Sequence, residues 1–173
     1  RKRDFAETSW WKTLAPLMSS VGLDLILPIA GVSEATAVNI VKNAGLGDIV
    51  SSCLRAKHPG CGRCWKCFHK NGMLGHPYNI NSKEIQSFLN KRPVRTATHA
   101  LWWVNEQDHW DQVPDLLHLK ERDFSWWTQH YPPAFSLLPD WIRPDIQYAI
   151  EAATDPIPED SEFHSWNLFP EAD

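Results

Sequence analysis

All four cysteines of this chain lie between Cys53 and Cys67, in the stretch CLRAKHPGCGRCWKC, and none occurs elsewhere. Thiols that served only as small buried apolar groups would be scattered along the sequence. Crowding them into one short loop forces that loop to close on itself, whatever the rest of the chain does. The spacing is Cys53, seven residues, Cys61, two residues, Cys64, two residues, Cys67. Two-residue gaps let neighbouring thiolates converge on one ion, and the longer gap lets the chain loop back with a fourth ligand. Pro59, Gly60 and Gly62 supply the turns that such a knuckle needs. Zinc held by Cys53, Cys61, Cys64 and Cys67 is the expected occupant, and a closed shell of four thiolates makes it structural. An iron–sulfur cluster and a pair of disulfides are the alternatives. His58 and His69 lie beside the cluster, but four thiols already complete a tetrahedron. Arg55, Lys57, Arg63, Lys66 and Lys70 surround it and can offset the negative charge that four thiolates leave on a divalent ion.

Charge divides the chain around this loop. Residues 1–75 hold ten Lys/Arg against five Asp/Glu, whereas residues 76–173 hold seven against sixteen. The asymmetry points to two units with different work. No apolar run reaches the ~18 residues of a membrane helix, since LILPIA is broken by Pro28. No secretory leader is visible, and a cytoplasmic location is expected.

Periodicity gives the elements. Phe5, Trp10, Leu14 and Leu17 stand near helical spacing in the first segment. LDLILPIAG, rich in branched residues and ended by Pro28 and Gly31, reads as a buried strand. A helix follows, capped by Ser33 and ended by Gly45, with Ala35, Val38, Val41 and Leu46 on or near one face. LGDIVSSC reads as a second strand leading into Cys53. Strand, helix and strand in that order predict the end of an α/β sheet with a parallel pair. Beyond Gly75 the expectation is helical. One helix begins with Asn81 and Glu84 at capping-box spacing and stops at Pro93. Others cover THALWWVNEQDHW, LKERDFSWWTQHYPP and RPDIQYAIEAAT, the last with Pro144 in its first turn. The acidic, proline-punctuated tail, residues 156–173, is expected to lie extended over the surface.

The stretch from about Leu25 to Gly75 resembles the C-terminal part of the 7-cyano-7-deazaguanine synthase family, PP-loop ATP pyrophosphatases. LPIAGVSEATAVNIVKNAGLGDIVSSC is similar to the family's strand–helix–strand run, and CGRCWKC to its zinc knuckle. Cys53, Cys61, Cys64 and Cys67 fall on the four ligand positions, and Lys70 stands where the family has arginine. The resemblance implies an α/β fold: the C-terminal end of a PP-loop (HUP-like) parallel-sheet domain over residues 1–75, carrying the knuckle at 53–67. A Trp-rich helical extension over 76–155 would follow. It implies ATP-dependent conversion of a purine-like carboxylate to an amide or nitrile, with ATP and Mg2+ bound by another part of the protein. The family's nucleotide loop, S-G-G-x-D-S, does not occur in this sequence and is expected upstream of Arg1. Relatives occur in bacterial antiviral gene clusters, so a specialised substrate is also implied.

Seven of the ten tryptophans follow residue 75. They are expected mainly in a helical core, with a protein partner as the second use. His109 with Asp108 and Asp111 offers a second metal site or a base, but without a nucleophile the group reads as a solvated helix face. The residues alone leave a non-catalytic alternative, a zinc-stabilised module that binds a protein or nucleic acid.

Overall fold

The computed structural model describes residues 8–91 and 97–165. Phe5, the Pro93 stop and the tail beyond Ser165 lie outside the described residues. Among the described residues the α-helices are α1 (Ser9–Ser19), α2 (Glu34–Asn43), α3 (Lys83–Leu89), α4 (Ala97–Glu106) and α5 (Arg143–Glu151). Short 3-10 turns fill most of the chain between α4 and α5.

The expected parallel sheet is absent among the described residues, and with it the α/β fold of a PP-loop domain. Among the described residues the only β pairings are two single bridges, Val32 with His130 antiparallel and His130 with Pro156 parallel. Neither 23–31 nor 46–53 joins a ladder. Branched apolar residues favour a strand only where a neighbouring strand and a packing face exist to receive them. Here Leu23, Ile29 and Ile49 are largely exposed instead.

Helix ends follow local chemistry closely. The Ser33 hydroxyl accepts from the amide of Thr36 at 3.0 Å and starts α2. At its other end Gly45 sits at φ +72, and Leu46 N–H reaches back to Val41 O at 3.1 Å. That pattern is a Schellman close, with glycine taking the left-handed position at no steric cost. The same pattern ends α4, but there Asp108 holds the left-handed position, with His109 N–H on Val104 O at 2.9 Å.

Two sequence expectations beyond Gly75 differ in detail. Ser82, not Asn81, precedes α3, and its hydroxyl donates to Arg63 O at 2.8 Å rather than capping the helix. The segment 119–133 is not a helix but a run of turns, with 3-10 pieces at Ser125–Thr128 and Pro132–Leu137. Asp123 accepts from the amide of Ser125 at 2.8 Å, and Trp126 Nε1 donates to Asp123 O at 2.9 Å. This local turn chemistry outcompetes helical periodicity.

One buried cluster joins both sides of Gly75. Ala35 from α2, Phe68 and Met73 from beyond the knuckle, and Ile85 and Leu89 from α3 pack with Leu101, Trp102, Trp103 and Val104 from α4. Trp110, Val113 and Phe124 complete it. Among the described tryptophans after residue 75, Trp102, Trp103, Trp110 and Trp126 are buried, while Trp141 is 66% exposed. Thr36, fully buried, ties α2 to the Ser125–Thr128 turn by hydrogen bonds to Trp127 O at 2.8 Å and Gln129 O at 3.1 Å. A smaller cluster of Phe135, Leu138 and Ile150 anchors α5. The start of the tail packs onto the body: Phe163 meets Trp126 at 5.0 Å and Tyr131 at 5.4 Å between ring centroids.

Candidate metal centre

The knuckle is assembled by the turns around Pro59 and by one wide helical turn. Gly60 and Gly62 adopt φ +117 and +66, conformations that side chains with a Cβ rarely take. A Cβ on Gly60 would also lie 2.6 Å from Asn71 Nδ2 and 3.1 Å from Cys67 Sγ. Residues Cys67–Asn71 form a π-turn, closed by Gly72 N–H on Cys67 O at 2.8 Å. Such turns recur at functional sites because they re-aim neighbouring side chains. Here the turn sends Cys67 and Asn71 toward the cysteines and Phe68 into the core.

The four sulfurs all lie within 4.8 Å of one another. Cys64 and Cys67 approach to 3.5 Å and Cys61 and Cys67 to 3.8 Å. Four sulfurs at zinc's ~2.3 Å bond length stand about 3.8 Å apart on a tetrahedron, so the set fits a single ion. A multi-iron cluster would spread the sulfurs over separate iron atoms. The cysteines are free thiols, not disulfides. Among the described residues no other group of three or more metal-capable side chains converges in this way. The shell offers no open position, so its chemistry is to hold an ion and through it the loop.

Backbone amides prepare the thiolates. The N–H groups of Arg55 and Cys61 each point at Cys53 Sγ at 3.4 Å. Burial pushes the Cys53 thiol up, but these amides outweigh it and bring the pKa down to about 6. The Arg63 amide lowers Cys61 in the same way. Burial raises Cys64, and it raises Cys67 to about 12 with help from the Cys64 side chain.

Asn71 is the residue that the sequence did not single out. Buried to 1% exposure, its amide donates to Pro59 O at 2.8 Å and Ser51 Oγ at 3.1 Å, and faces Cys67 Sγ at 3.8 Å. Its carbonyl accepts from Ser52 N–H at 3.0 Å. One side chain thus ties together both ends of the loop.

His58 and His69 stay out of the sulfur shell. His58 meets His76 edge-on at 4.7 Å between centroids. His69, fully buried, stacks under Trp65 at 4.7 Å and on Phe88 at 5.6 Å. Of the basic residues expected to shield the thiolates, Arg55 pairs with Glu84 and Lys70 with Glu34. Lys57, Arg63 and Lys66 form no ion pair among the described residues. His109, Asp108 and Asp111 do not converge: His109 Nε2 contacts Tyr78 OH at 3.1 Å, Asp108 pairs with Lys120, and Asp111 accepts from Gln112.

A helical body carrying a knuckle of four cysteines close enough to hold a metal ion is the class of protein that these features define. The chain belongs to DUF6395, a family of unknown function, whose model matches residues 13–167. No curated protein and no solved structure matches it. Among the described residues no helix is long and apolar enough to cross a membrane.

Proposed function

We propose that the chain is a zinc-stabilised module that binds another macromolecule and performs no chemistry at the metal. The observation that carries this is the convergence of four thiols within 4.8 Å, with no position left for substrate. Zinc fixes the loop 53–67 against α3 and the π-turn, and so presents the surface of the knuckle in one shape. Native mass spectrometry tests this: one zinc per chain is expected, and a strong chelator should lower the melting temperature. A protein isolated without metal, with an unchanged melting point after chelator, would sink it.

A second reading follows the resemblance to the 7-cyano-7-deazaguanine synthase family. Its support is the knuckle spacing, together with the apolar side chains Leu17, Val21, Leu23, Ile29 and Ile49, each more than half exposed. Apolar side chains exposed in that number leave room for a further protein body. In this reading that body supplies ATP and Mg2+ sites and the pocket for a purine-like carboxylate, and the chain serves as its zinc-bearing part. Release of AMP from ATP in the presence of a deazaguanine carboxylate supports this reading. Failure to bind ATP with that body present would remove it.

A further inference from the structure

Beside the metal centre an open cleft of about 650 Å³ is lined by Arg55, Ala56, Cys61, Arg63, Ser82, Lys83 and Glu84. Glu84 is taken up by Arg55, so the acid and one base cancel. Arg63 and Lys83 remain exposed along the cleft, and neither has a carboxylate partner among the described residues. Lys57 and Lys66 add two further cations on the same loop, neither with a carboxylate partner among the described residues. Together Arg63, Lys83, Lys57 and Lys66 outnumber the net charge of about −2 that a zinc tetrathiolate would carry.

The neighbouring aromatic group gives the ligand its shape. Trp65, between two metal-capable cysteines, is 37% exposed. Its ring lies parallel to His69 within 6° at 4.7 Å, and within 25° of Phe88 at 5.6 Å. Lys66 Nζ stands 5.6 Å from its centroid. An indole backed by two stacked rings is locked in place, so little conformational freedom is lost when a flat group covers it. Phe88 and Lys83 belong to the same helix, α3, and Arg63 is held to its start through Ser82. The stacking platform and the cationic cleft are therefore parts of one rigid surface.

Resting on the reading of the chain as a zinc-stabilised binding module, we propose that this surface binds single-stranded nucleic acid. A base would stack on Trp65, and adjoining phosphates would lie along Arg63 and Lys83. A planar platform next to unpaired cations matches a strand that offers bases and phosphates in alternation. An acidic peptide would use the cations but gain little from the flat ring.

The test is fluorescence anisotropy of the zinc-loaded protein with a labelled single-stranded oligonucleotide of about twelve nucleotides, as RNA and as DNA. Binding that weakens as salt rises from about 50 to 200 mM is expected. Arg63→Ala and Lys83→Ala should each flatten the log–log salt slope by about 0.7. Trp65→Ala should weaken binding about tenfold or more at every salt concentration, with partial recovery in Trp65→Phe. Zinc content and melting temperature are measured on each variant, and Trp65→Phe and Lys83→Gln serve if an alanine variant loses metal. The inference is overturned if the zinc-loaded wild type ignores the probe, or if Trp65→Ala, with zinc retained, binds as wild type does. It is equally overturned if polyglutamate displaces the probe as well as unlabelled oligonucleotide does. Absence of zinc from the purified protein would instead strike the module reading itself.

Discussion

Asn71 donates its side-chain amide to the carbonyl of Pro59 at 2.8 Å, across twelve residues of sequence. This bond closes the loop between the first cysteine and the other three. Because the same amide also reaches Ser51 and faces Cys67, the four cysteines are held together by a side chain that is not one of them.

Asn71→Ala should therefore weaken metal binding by about 10- to 100-fold, the usual cost of removing a group that orients the ligands. It also removes the acceptor of the Ser52 N–H and the donor to the Pro59 carbonyl. Competition against a chromophoric chelator measures the first effect. Unchanged affinity would show that the loop shapes itself without Asn71.

Cys64→Ser and His69→Ala should separate ligand from neighbour. The serine variant loses the ion and, with it, much of the folding free energy of the knuckle. The alanine variant opens a cavity beneath Trp65 and costs about 2–4 kcal/mol, yet it should keep one zinc per chain. Metal analysis beside thermal melts checks both, and zinc loss in His69→Ala would mean that the sulfurs alone do not set the shell.

Gly31→Ala probes packing away from the metal. A Cβ there would lie 2.6 Å from Tyr131 O and 2.8 Å from Ala134 Cβ. Tyr131 N–H already bonds Gly31 O at 2.8 Å, so the two backbones cannot part without breaking that link. A loss of about 1–3 kcal/mol is expected in chemical denaturation, with zinc stoichiometry unchanged. A wild-type denaturation midpoint would show that the Val32–His130 bridge gives way freely.

Metal affinity should rise with pH. In the metal-free chain burial keeps Cys64 and Cys67 protonated, the latter with a pKa near 12, so zinc must expel at least two protons. Affinity then falls about a hundredfold for each unit of acidification around neutrality. Below about 6 Cys53 also takes up a proton, and the slope steepens. Zinc titrations from mildly alkaline to mildly acidic buffer measure this, and a flat profile would contradict the burial of Cys64 and Cys67.

That the four thiols come together was legible in the sequence, because two-residue gaps bring thiols near one another almost regardless of context. The ends of α2 were legible for the same local reason: Ser33 and Gly45 act on amides and carbonyls only a few residues away. The left-handed Asp108 that closes α4 carried no such mark, since aspartate is common in many other settings. The two apolar runs, 23–31 and 46–53, looked like strands, but a strand exists only where a neighbour offers a ladder. No neighbour among the described residues does so, and sequence does not record that. Nor could the sequence show that α3 and α4 share one core with α2 and the π-turn, or that Asn71 meets Pro59. Those pairings lie far apart along the chain. Only the packing of the whole brings them within reach, and that packing, not the local pattern, decided them.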